Sequence, residues 1–327
     1  MTENTVTVIS DEQNSEPVNS QVVDIVIPAY NARNAIQKTV QSTLSQQLPA
    51  GWKKNIIVVD DGSSDDTARY CQSLFHEQVQ VVSHEKNRGR SASRNTGWQA
   101  GSGSCVVFLD ADCVWLTAGA LNAHLEKIES GADVSVGGVN VHDGGFWARY
   151  QGMLQSAREK AFNSGNLATF GSANFAIRRV FLPKTGGFDE GYRHYGFEDR
   201  DFFLRLMSIG CDMVFCPEAA VVHRPASSLK DICRKMQEAG EFSSSRFQAS
   251  HPEYYARTSY GRFDCRLRGF PYKALAVLSE PLLPGLAELG DKMIGLTALP
   301  FRVKWACVKS ISGLAYLAGT RRAIKKR

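Results

Sequence analysis

The feature that most constrains the fold is a regular alternation of short apolar runs with longer amphipathic stretches between residues 22 and 130. The apolar runs have the length of buried strands, and the stretches between them have the length and spacing of helices. Strands that alternate with helices form βαβ units, so the sequence predicts an α/β protein with a mostly parallel sheet. The four predicted strands are VVDIVIP, NIIVVDD, VQVVSHE and SCVVFLDAD, followed by helices over 32–48 and 65–75, a helix ending at Trp98 and a helix over 117–130.

Beyond Asp133 the pattern is less regular. We predict strands near VSVGGVNV, GSANFAI and DMVFCPEAAVVH, helices over 146–162 and 198–209, and mostly helices after Pro225. The chain therefore divides into a polar, disordered tail over 1–20, an α/β domain over 21–225 and a helical C-terminal extension over 226–327.

Composition excludes several classes of protein. The net charge is +5 and no basic stripe is interleaved with aromatic residues, which argues against a nucleic-acid partner. The eight cysteines form no CxxC pair, so a structural zinc site has no support and reduced thiols are expected. The N-terminus has no signal-peptide pattern, and no apolar run approaches a membrane span. We therefore expect a cytoplasmic protein.

Polar residues follow three of the predicted strands at the point where each strand ends. Strand one leads into PAYN, strand two into DDGSSDDT and strand four into DAD. In open α/β sheets, ligands bind beyond the carboxyl ends of the strands. The sequence therefore predicts a ligand site at this edge of the sheet.

The DAD segment has the spacing of a cation site. Residues two apart in an extended segment point the same way, so Asp110 and Asp112 can face one ligand. Two carboxylates on one face repel unless a cation lies beside them, and oxygen ligands suit Mg²⁺ or Mn²⁺. The alternative is that one aspartate caps the helix beginning at Thr117 and the other is solvated.

Neither of the common glycine-rich phosphate loops is present. A dinucleotide site needs GxGxxG directly after a strand, but the GSGS segment precedes strand four, and the sequence has no GxxxxGK[ST]. If phosphates bind here, we expect a metal rather than a glycine cradle to hold them.

Five segments resemble, in their order and approximate spacing, the successive motifs of family 2 glycosyltransferases, which have the GT-A fold. The resemblance covers about residues 22–225. The five segments are IPAYN, VVDDGSSDDT, NRGRSASRNTG, FLDADC and GGFDEGYRHYGFEDRDFFLRL.

The resemblance implies a nucleotide pocket at the ends of the first strands. Pro28 and Tyr30 would lie against the nucleoside, and either Asp60 or Asp61 would contact the base or ribose. Arg90 would donate hydrogen bonds beside the nucleotide. Arg94 and Asn95 would instead hold the turn and the following helix together.

The resemblance also implies the catalytic groups. Asp110 would reach the ribose or the metal, and Asp112 would bind the Mg²⁺ or Mn²⁺ that bridges the diphosphate. Asp199 would be the catalytic base, with its neighbour Glu198 as a substitute. His223 matches a histidine that completes the metal shell in some members, although a histidine at a strand end can also be a capping or solvated residue.

These residue types suit a single displacement with inversion. A carboxylate in hydrogen-bond reach can remove the proton of an acceptor hydroxyl, and a divalent cation stabilises the departing nucleoside diphosphate. We therefore predict a hexosyltransferase-type enzyme that uses a nucleotide-sugar donor, with a UDP-sugar as the first candidate, and acts in surface polysaccharide or glycolipid assembly.

The C-terminal segment is apolar, interrupted by prolines and rich in cations at its end. Residues 301–327 contain eight Lys and Arg and no acid. Helices of this kind either complete a soluble core or lie on an anionic membrane surface. Because enzymes of the family often use lipid-linked acceptors, we expect a peripheral protein at the inner face of the cell membrane.

Two other functions compete with this prediction. A sugar-phosphate nucleotidyltransferase would need a Gly-rich basic loop after strand one, where this chain has PAYNARNA. A catalytically inactive nucleotide-sugar-binding protein would not need the DAD and ED segments, which are both present.

Overall fold

A computed structural model describes residues 21–141, 145–166, 169, 171–223 and 228–325. The predicted tail over 1–20 lies outside the described residues, as does the predicted boundary between residues 225 and 226.

The strands follow the predicted order, with one addition. They are β1 (Gln21–Ala29), β2 (Trp52–Asp60), β3 (Gln80–Ser83), β4 (Cys105–Leu109), β5 (Cys113–Trp115), β6 (Val134–Val141), β7 (Asn174–Arg178) and β8 (Met213–His223). The addition is β5, a three-residue strand directly after the DAD segment that is too short to show a periodicity in the sequence.

The helices of the α/β part are α1 (Arg33–Leu44), α2 (Thr67–Phe75), α3 (Arg90–Ala100), α4 (Ala120–Glu129), α5 (Phe146–Asn163), α6 (Phe181–Thr185) and α7 (Glu198–Ser208). Those that follow are α8 (Leu229–Glu238), α9 (Ser244–Ser250), α10 (Pro252–Arg257), α11 (Ser259–Arg262), α12 (Phe270–Ser279), α13 (Leu283–Gly295) and α14 (Phe301–Lys325). A π-helical turn over Ala239–Ser243 joins α8 to α9, and 3₁₀ turns cover His76–Gln78 and Glu280–Leu282.

The eight strands form one sheet in the order β3-β2-β1-β4-β7-β6-β8-β5. β1 pairs in parallel with β2 and β4, and β2 pairs in parallel with β3. β7 runs antiparallel between β4 and β6, and β5 runs antiparallel along β8. The sheet is therefore parallel in its main part, as predicted, with two reversed strands that the pattern of the sequence did not predict.

Both faces of the sheet are covered, which explains why the strands read as continuous apolar runs. On one face, Val23, Ile25 and Ile27 of β1 pack with residues of α1, α2 and α4. On the other face the core is aromatic, and the ring of Phe188 stacks on that of Phe202 at 4.1 Å. The second core joins the sheet to α7 and to the loop before it.

The C-terminal helices pack against the α/β part. One cluster joins Tyr150 of α5 to residues of α8, α13 and α14, and another joins Phe197 to Phe247, Tyr255 and Tyr316. Phe197 directly precedes α7, so these helices support the start of that helix. Among the described residues, no helix has the length and apolar content needed to cross a membrane.

Part of the predicted basic cluster forms internal ion pairs. Arg321 and Arg322 both pair with Glu280, and Arg322 also lies 3.5 Å from Glu241. These two arginines therefore hold α14 against the turn before α13.

Candidate active site

The antiparallel pairing of β5 with β8 brings Asp112 to His223. Cys113 and His223 are register partners, so the residue before Cys113 lies beside the end of β8. The Nε2 atom of His223 is 3.0 Å from Oδ2 of Asp112. Both side chains are partly exposed, which leaves them open to a ligand.

The contact changes the pKa of both groups. Burial disfavours the charged form of each side chain, but the hydrogen bond between them and the opposite charge of the partner favour it by more. The pKa of His223 is raised, and the pKa of Asp112 is lowered. The contact therefore favours the charged form of both side chains, and a cation that binds through the imidazole has to displace its proton.

The donor atoms present fit a hard divalent cation. One donor atom each of Asp112, Cys113 and His223 lies within 4.8 Å of the others. Burial, Asp110 and Asp112 raise the pKa of the Cys113 thiol well above its usual range, so this thiol stays protonated. The carboxylate and the imidazole remain as ligands, a set that leaves positions for water and phosphate oxygens.

Asp110 is tied to the buried arginine of α3. The Nη2 atom of Arg94 donates to Oδ1 of Asp110 at 2.8 Å, and the Arg94 side chain is only 1% exposed. Nε and Nη1 of Arg94 have no hydrogen-bond partner in the described protein. Asn95 joins α3 to the loop before α7, since it donates to the carbonyl of Phe188 and accepts from its amide.

Arg90, the first residue of α3, lies beside Glu198. Its Nη1 atom is 4.0 Å from Oε1 of Glu198. Partial burial lowers the pKa of Arg90, and the carboxylates of Asp110 and Glu198 raise it by more, with Asp112 adding to the effect. The DAD carboxylates and the Glu198 carboxylate therefore both stabilise the positive charge of the Arg90 guanidinium.

Glu198 and Asp199 begin α7 after a strained residue. Phe197 has a φ of 74°, a left-handed conformation that is unusual for an aromatic residue. Its ring stacks on Phe247 of α9 at 4.8 Å, which holds it in place. Packing of the C-terminal helices thus fixes the direction in which α7 presents its first carboxylates.

The two carboxylates differ in environment. Glu198 is buried and its Oε2 atom has no partner in the described protein. Burial and the neighbouring Asp199 raise the pKa of Glu198. Asp199 is half-buried and accepts a hydrogen bond from the amide of Arg200 at 2.8 Å. Asp199 is therefore the more accessible of the two to an acceptor.

The aspartates that end β2 have different partners. Asp61 accepts from the amides of Arg88 and Gly89 at 2.8 Å, and its Oδ1 atom lies 2.7 Å from Nδ1 of His84. Asp60 is also buried, but its Oδ1 atom has no partner in the described protein. The oxygens of Asp61 hold the turn before α3, so of the two predicted candidates Asp60 is the one with an oxygen left free for a nucleotide.

The PAYN segment lies beside the DDGSS segment. Pro28 is half-buried near the end of β1, and Tyr30 is 53% exposed. The amide of Asn31 donates to Oγ of Ser63, and its side chain accepts from the amide of Ser64, both at 2.9 Å. These bonds place Tyr30 and Asp60 at the same edge of the sheet.

The structure adds two residues to the site that the sequence did not single out. Tyr195 lies in the loop before α7, and Arg90 is 5.6 Å from the centre of its ring. Lys235, on α8, is 5.4 Å from the same ring. Tyr195 falls inside a quoted motif, whereas no motif in the sequence distinguishes Lys235 from the other lysines of the extension.

Comparisons with known proteins match the part of the chain that contains the sheet. A family model described as glycosyl transferase family 2 matches residues 24–186, and one described as the N-terminal domain of galactosyltransferase matches residues 152–228. Together these matches reach from β1 to the end of β8.

Named relatives are glycosyltransferases. Glycosyltransferase AglE of Haloferax volcanii is 27% identical over 230 residues, which are 67% of this chain and 72% of the relative. The UDP-Glc:alpha-D-GlcNAc-diphosphoundecaprenol beta-1,3-glucosyltransferase WfgD of Escherichia coli is 33% identical over 95 residues, 29% of this chain. The putative teichuronic acid biosynthesis glycosyltransferase TuaG of Bacillus subtilis is 38% identical over 96 residues, also 29% of this chain. The chain covers only 36% and 37% of the last two proteins.

Two solved structures share the fold. The mannosyltransferase PcManGT of Pyrobaculum calidifontis, solved with GDP-Man and Mn²⁺, has a TM-score of 0.58 at 18% identity, covering 94% of this chain and 88% of its own. Residues 1–349 of S. aureus TarS, solved with UDP, have a TM-score of 0.53 at 15% identity, covering 93% and 92%.

The sheet, the acidic site at its carboxyl edge and these similarities define a glycosyltransferase with the GT-A fold. The chain belongs to glycosyltransferase family 2. The predictions of the fold class, the family and an enzyme are confirmed.

Proposed function

We propose that the protein is an inverting, metal-dependent enzyme that transfers a sugar from a nucleoside diphosphate sugar to an acceptor hydroxyl. The observation that carries the proposal is the position of α3, whose Arg94 bonds to Asp110 of the DAD segment while its Arg90 lies 4.0 Å from Glu198. The DAD carboxylates would hold the cation that binds the diphosphate, and the carboxylates at the start of α7 would act on the acceptor hydroxyl. Transfer of the sugar requires both groups within one site.

The nucleotide would bind at the ends of β1 and β2. The unpartnered oxygen of Asp60 is suited to accept a hydrogen bond from a base or a ribose hydroxyl, because a buried acceptor without a donor is costly. Tyr30 and Pro28 would lie against the nucleoside. A UDP-sugar is the first candidate, since the name of WfgD contains UDP-Glc and TarS was solved with UDP.

Asp112 and His223 would hold the metal, Mg²⁺ or Mn²⁺, with Asp110 beside them. When bound, the metal would supply charge stabilisation for the diphosphate leaving group. Asp199 would accept the proton of the acceptor hydroxyl as that oxygen bonds to the anomeric carbon from the face opposite the diphosphate, which inverts the configuration. Glu198 would hold Arg90 beside the site, and it is the alternative candidate for the catalytic base.

A panel of UDP- and GDP-sugars tests the enzymatic part of the proposal. With Mg²⁺ or Mn²⁺ present, at least one donor should be hydrolysed slowly to free nucleoside diphosphate, and EDTA should stop the release. If one of them binds tightly but is never turned over, with or without added glycan acceptors, the protein is a nucleotide-sugar-binding protein instead. If none binds in the presence of metal, the proposed function is wrong.

For the acceptor, we propose a lipid-linked sugar of surface polysaccharide or glycolipid assembly, used at the inner face of the cell membrane. The name of WfgD contains a diphosphoundecaprenol acceptor, and that of TuaG contains teichuronic acid biosynthesis. A surface rich in exposed apolar side chains supports the same proposal. We call it the apolar ridge, and it consists of Phe270, Tyr272, Leu275, Val277, Leu278 and Leu282.

The apolar ridge suits a membrane interface better than the terminal cations do. Phe270 is 80% exposed and Leu278 is 69% exposed, and the exposed cations Arg268 and Lys273 are neighbours in the chain. Arg321 and Arg322 are paired with carboxylates, so they contribute less to an attraction for anionic lipid than free cations would.

Sedimentation with vesicles containing anionic lipid tests this part. The wild type should bind at low salt, and a Leu278→Gln, Leu282→Gln variant should lose most of the binding because two exposed leucines no longer enter the interface. A matched control changes Leu74 and Val180, which are 41% and 51% exposed on the α/β part, to Gln. Equal binding of the two double variants would contradict the assignment of the ridge.

A further inference from the structure

Two cations from distant parts of the chain converge on one aromatic ring. The guanidinium carbon of Arg90 is 5.6 Å from the centre of the Tyr195 ring, and the Nζ atom of Lys235 is 5.4 Å from it. Arg90 begins α3, whereas Lys235 lies in the middle of α8, in the C-terminal extension.

The loop that carries the Tyr195 ring is bonded to α8, the helix of Lys235, and to the turn after it. The amide of Tyr195 donates to Oε1 of Glu238 on α8 at 3.1 Å. Oγ of Ser243, in the π-helical turn after α8, donates to the carbonyl of Tyr195 at 3.0 Å.

Lys235 has no anionic partner of its own in the described part of the chain. No carboxylate among the described residues lies within ion-pair distance of its Nζ atom, although the side chain is half-buried. Burial, Arg90 and Arg234 lower the pKa of Lys235, and Asp112 raises it in part. The Lys235 charge in turn lowers the pKa of His223. The printed geometry places the ammonium against the Tyr195 ring, which Arg90 also contacts.

An exposed arginine and a half-buried lysine that lie against one ring repel each other, and a bound anion that reaches both would stabilise them. The anion must also lie beside a site for a divalent cation. A diphosphate meets both conditions, because its oxygens can contact a metal on one side and ammonium or guanidinium groups on the other.

We propose that Lys235 of the C-terminal extension, together with Arg90, binds the diphosphate of the donor. This inference rests on the proposed function and adds a donor-binding residue from outside the segments that resemble the family. Lys235 would stabilise the negative charge that grows on the departing nucleoside diphosphate. The extension would then take part in donor binding in addition to packing.

Calorimetric titration with UDP and with uridine, at saturating Mg²⁺, tests the proposal. Lys235→Met keeps the apolar stem over the ring and removes the charge, so affinity for UDP should fall at least tenfold and affinity for uridine should stay within twofold. Lys235→Arg should restore most of the affinity for UDP. The matched control is Lys230→Met, which removes an exposed cation of the same helix and should change neither titration.

The outcomes separate this inference from the function on which it rests. If the wild type binds UDP and Lys235→Met binds it equally well, Lys235 is not a diphosphate ligand, and the proposed function is unaffected. If Lys235→Met weakens UDP and uridine to the same degree, the lysine only supports Tyr195 and the inference is overturned. If the wild type binds neither UDP nor GDP with Mg²⁺ or Mn²⁺, the proposed function itself fails.

Discussion

The Nε2 atom of His223 lies 3.0 Å from the Asp112 carboxylate, although the two residues are 111 positions apart in the chain. Three residues of antiparallel pairing between β5 and β8 produce this contact, because Cys113 is the register partner of His223. A residue in the loop between β4 and β5 is thereby joined to the last residue of β8, the strand that neighbours β5 at the edge of the sheet.

The first prediction concerns this pair. Asp112→Ala should lower the Mn²⁺-dependent component of UDP affinity at least tenfold, about 1.4 kcal/mol, since it removes a charged ligand. Titration of UDP with and without EDTA measures that component. Asp66→Ala removes an exposed carboxylate elsewhere and should leave it unchanged. Equal metal dependence in Asp112→Ala and the wild type would contradict the metal site.

The second prediction separates Asp199 from Glu198. Asp199→Asn should keep donor affinity within a few-fold and reduce the rate of transfer by roughly 10² or more, as expected for the loss of a general base. Single-turnover kinetics with a competent acceptor measure the rate. If Glu198→Gln abolishes transfer and Asp199→Asn does not, the base is Glu198, whose pKa burial has raised.

The third prediction compares the two aspartates after β2. Asp60→Asn should weaken uridine binding about tenfold with little change in stability, because its free oxygen contacts no protein donor. Asp61→Asn should destabilise the fold by about 2 kcal/mol, because its oxygens satisfy two amides and His84. Urea denaturation of both variants measures the free energy of unfolding, and calorimetric titration measures the affinity for uridine. The opposite pattern would return Asp61 to the nucleotide site.

The fourth prediction uses two adjacent glycines. Gly186 and Gly187 have φ values of 72° and 71°, so an alanine at either position costs about 1 kcal/mol. A Cβ at Gly187 would also lie 2.5 Å from Oδ1 of Asn95, whereas nothing lies within 4 Å of one at Gly186. Gly187→Ala should therefore lower the free energy of unfolding by at least about 1 kcal/mol more than Gly186→Ala. If urea denaturation shows the same loss of unfolding free energy for both variants, the Asn95 side chain moves away from the new Cβ without destabilising the fold.

The fifth prediction concerns pH and stability. His124 is buried between Ser135 and Asn174, and burial lowers its pKa from 6.5 to about 4. Because the folded pKa is depressed, the unfolded chain takes up the proton first. The contribution is complete above pH 6.5 and is lost as the pH falls towards 4.

Between pH 7 and pH 5 this loss should be about 2 kcal/mol. Other titrating groups contribute equally to the wild type and to His124→Gln, so their effect drops out of the difference in unfolding free energy between the two proteins. That difference should shrink by about 2 kcal/mol between pH 7 and pH 5. A difference that does not change with pH would mean that His124 titrates normally.

Much of the fold was predictable because each element carries a local pattern. The strand over Cys105–Leu109 is apolar at every position, and it is buried at every position. The helix over Glu198–Ser208 agrees with the prediction to within one residue, with Gly210 just beyond it in a left-handed conformation. The start of α2 was less accurate, since the helix begins at Thr67 rather than at residue 65. Cap positions depend on single hydrogen bonds that a residue pattern does not specify.

The candidate site was predictable as a set of residue types but not as a set of partners. The DAD and ED segments stand out because paired carboxylates are unusual after a buried strand and at a buried helix start. The difference between Asp60 and Asp61 depends on which oxygen meets the amides of Arg88 and Gly89, and no spacing in the sequence contains that information.

By itself, the sequence determined the βαβ architecture, the edge of the sheet that carries the candidate site and the family, since hydrophobic periodicity and motif order are local properties of the chain. Tertiary structure alone decided that β5 reverses along β8, that Phe197 is held with a positive φ, and that Arg90 and Lys235 both lie against Tyr195. Each of these depends on contacts between segments far apart in the chain. Such contacts form only when the hydrophobic cores bring those segments together, so the residues that make them carry no local mark of their partners.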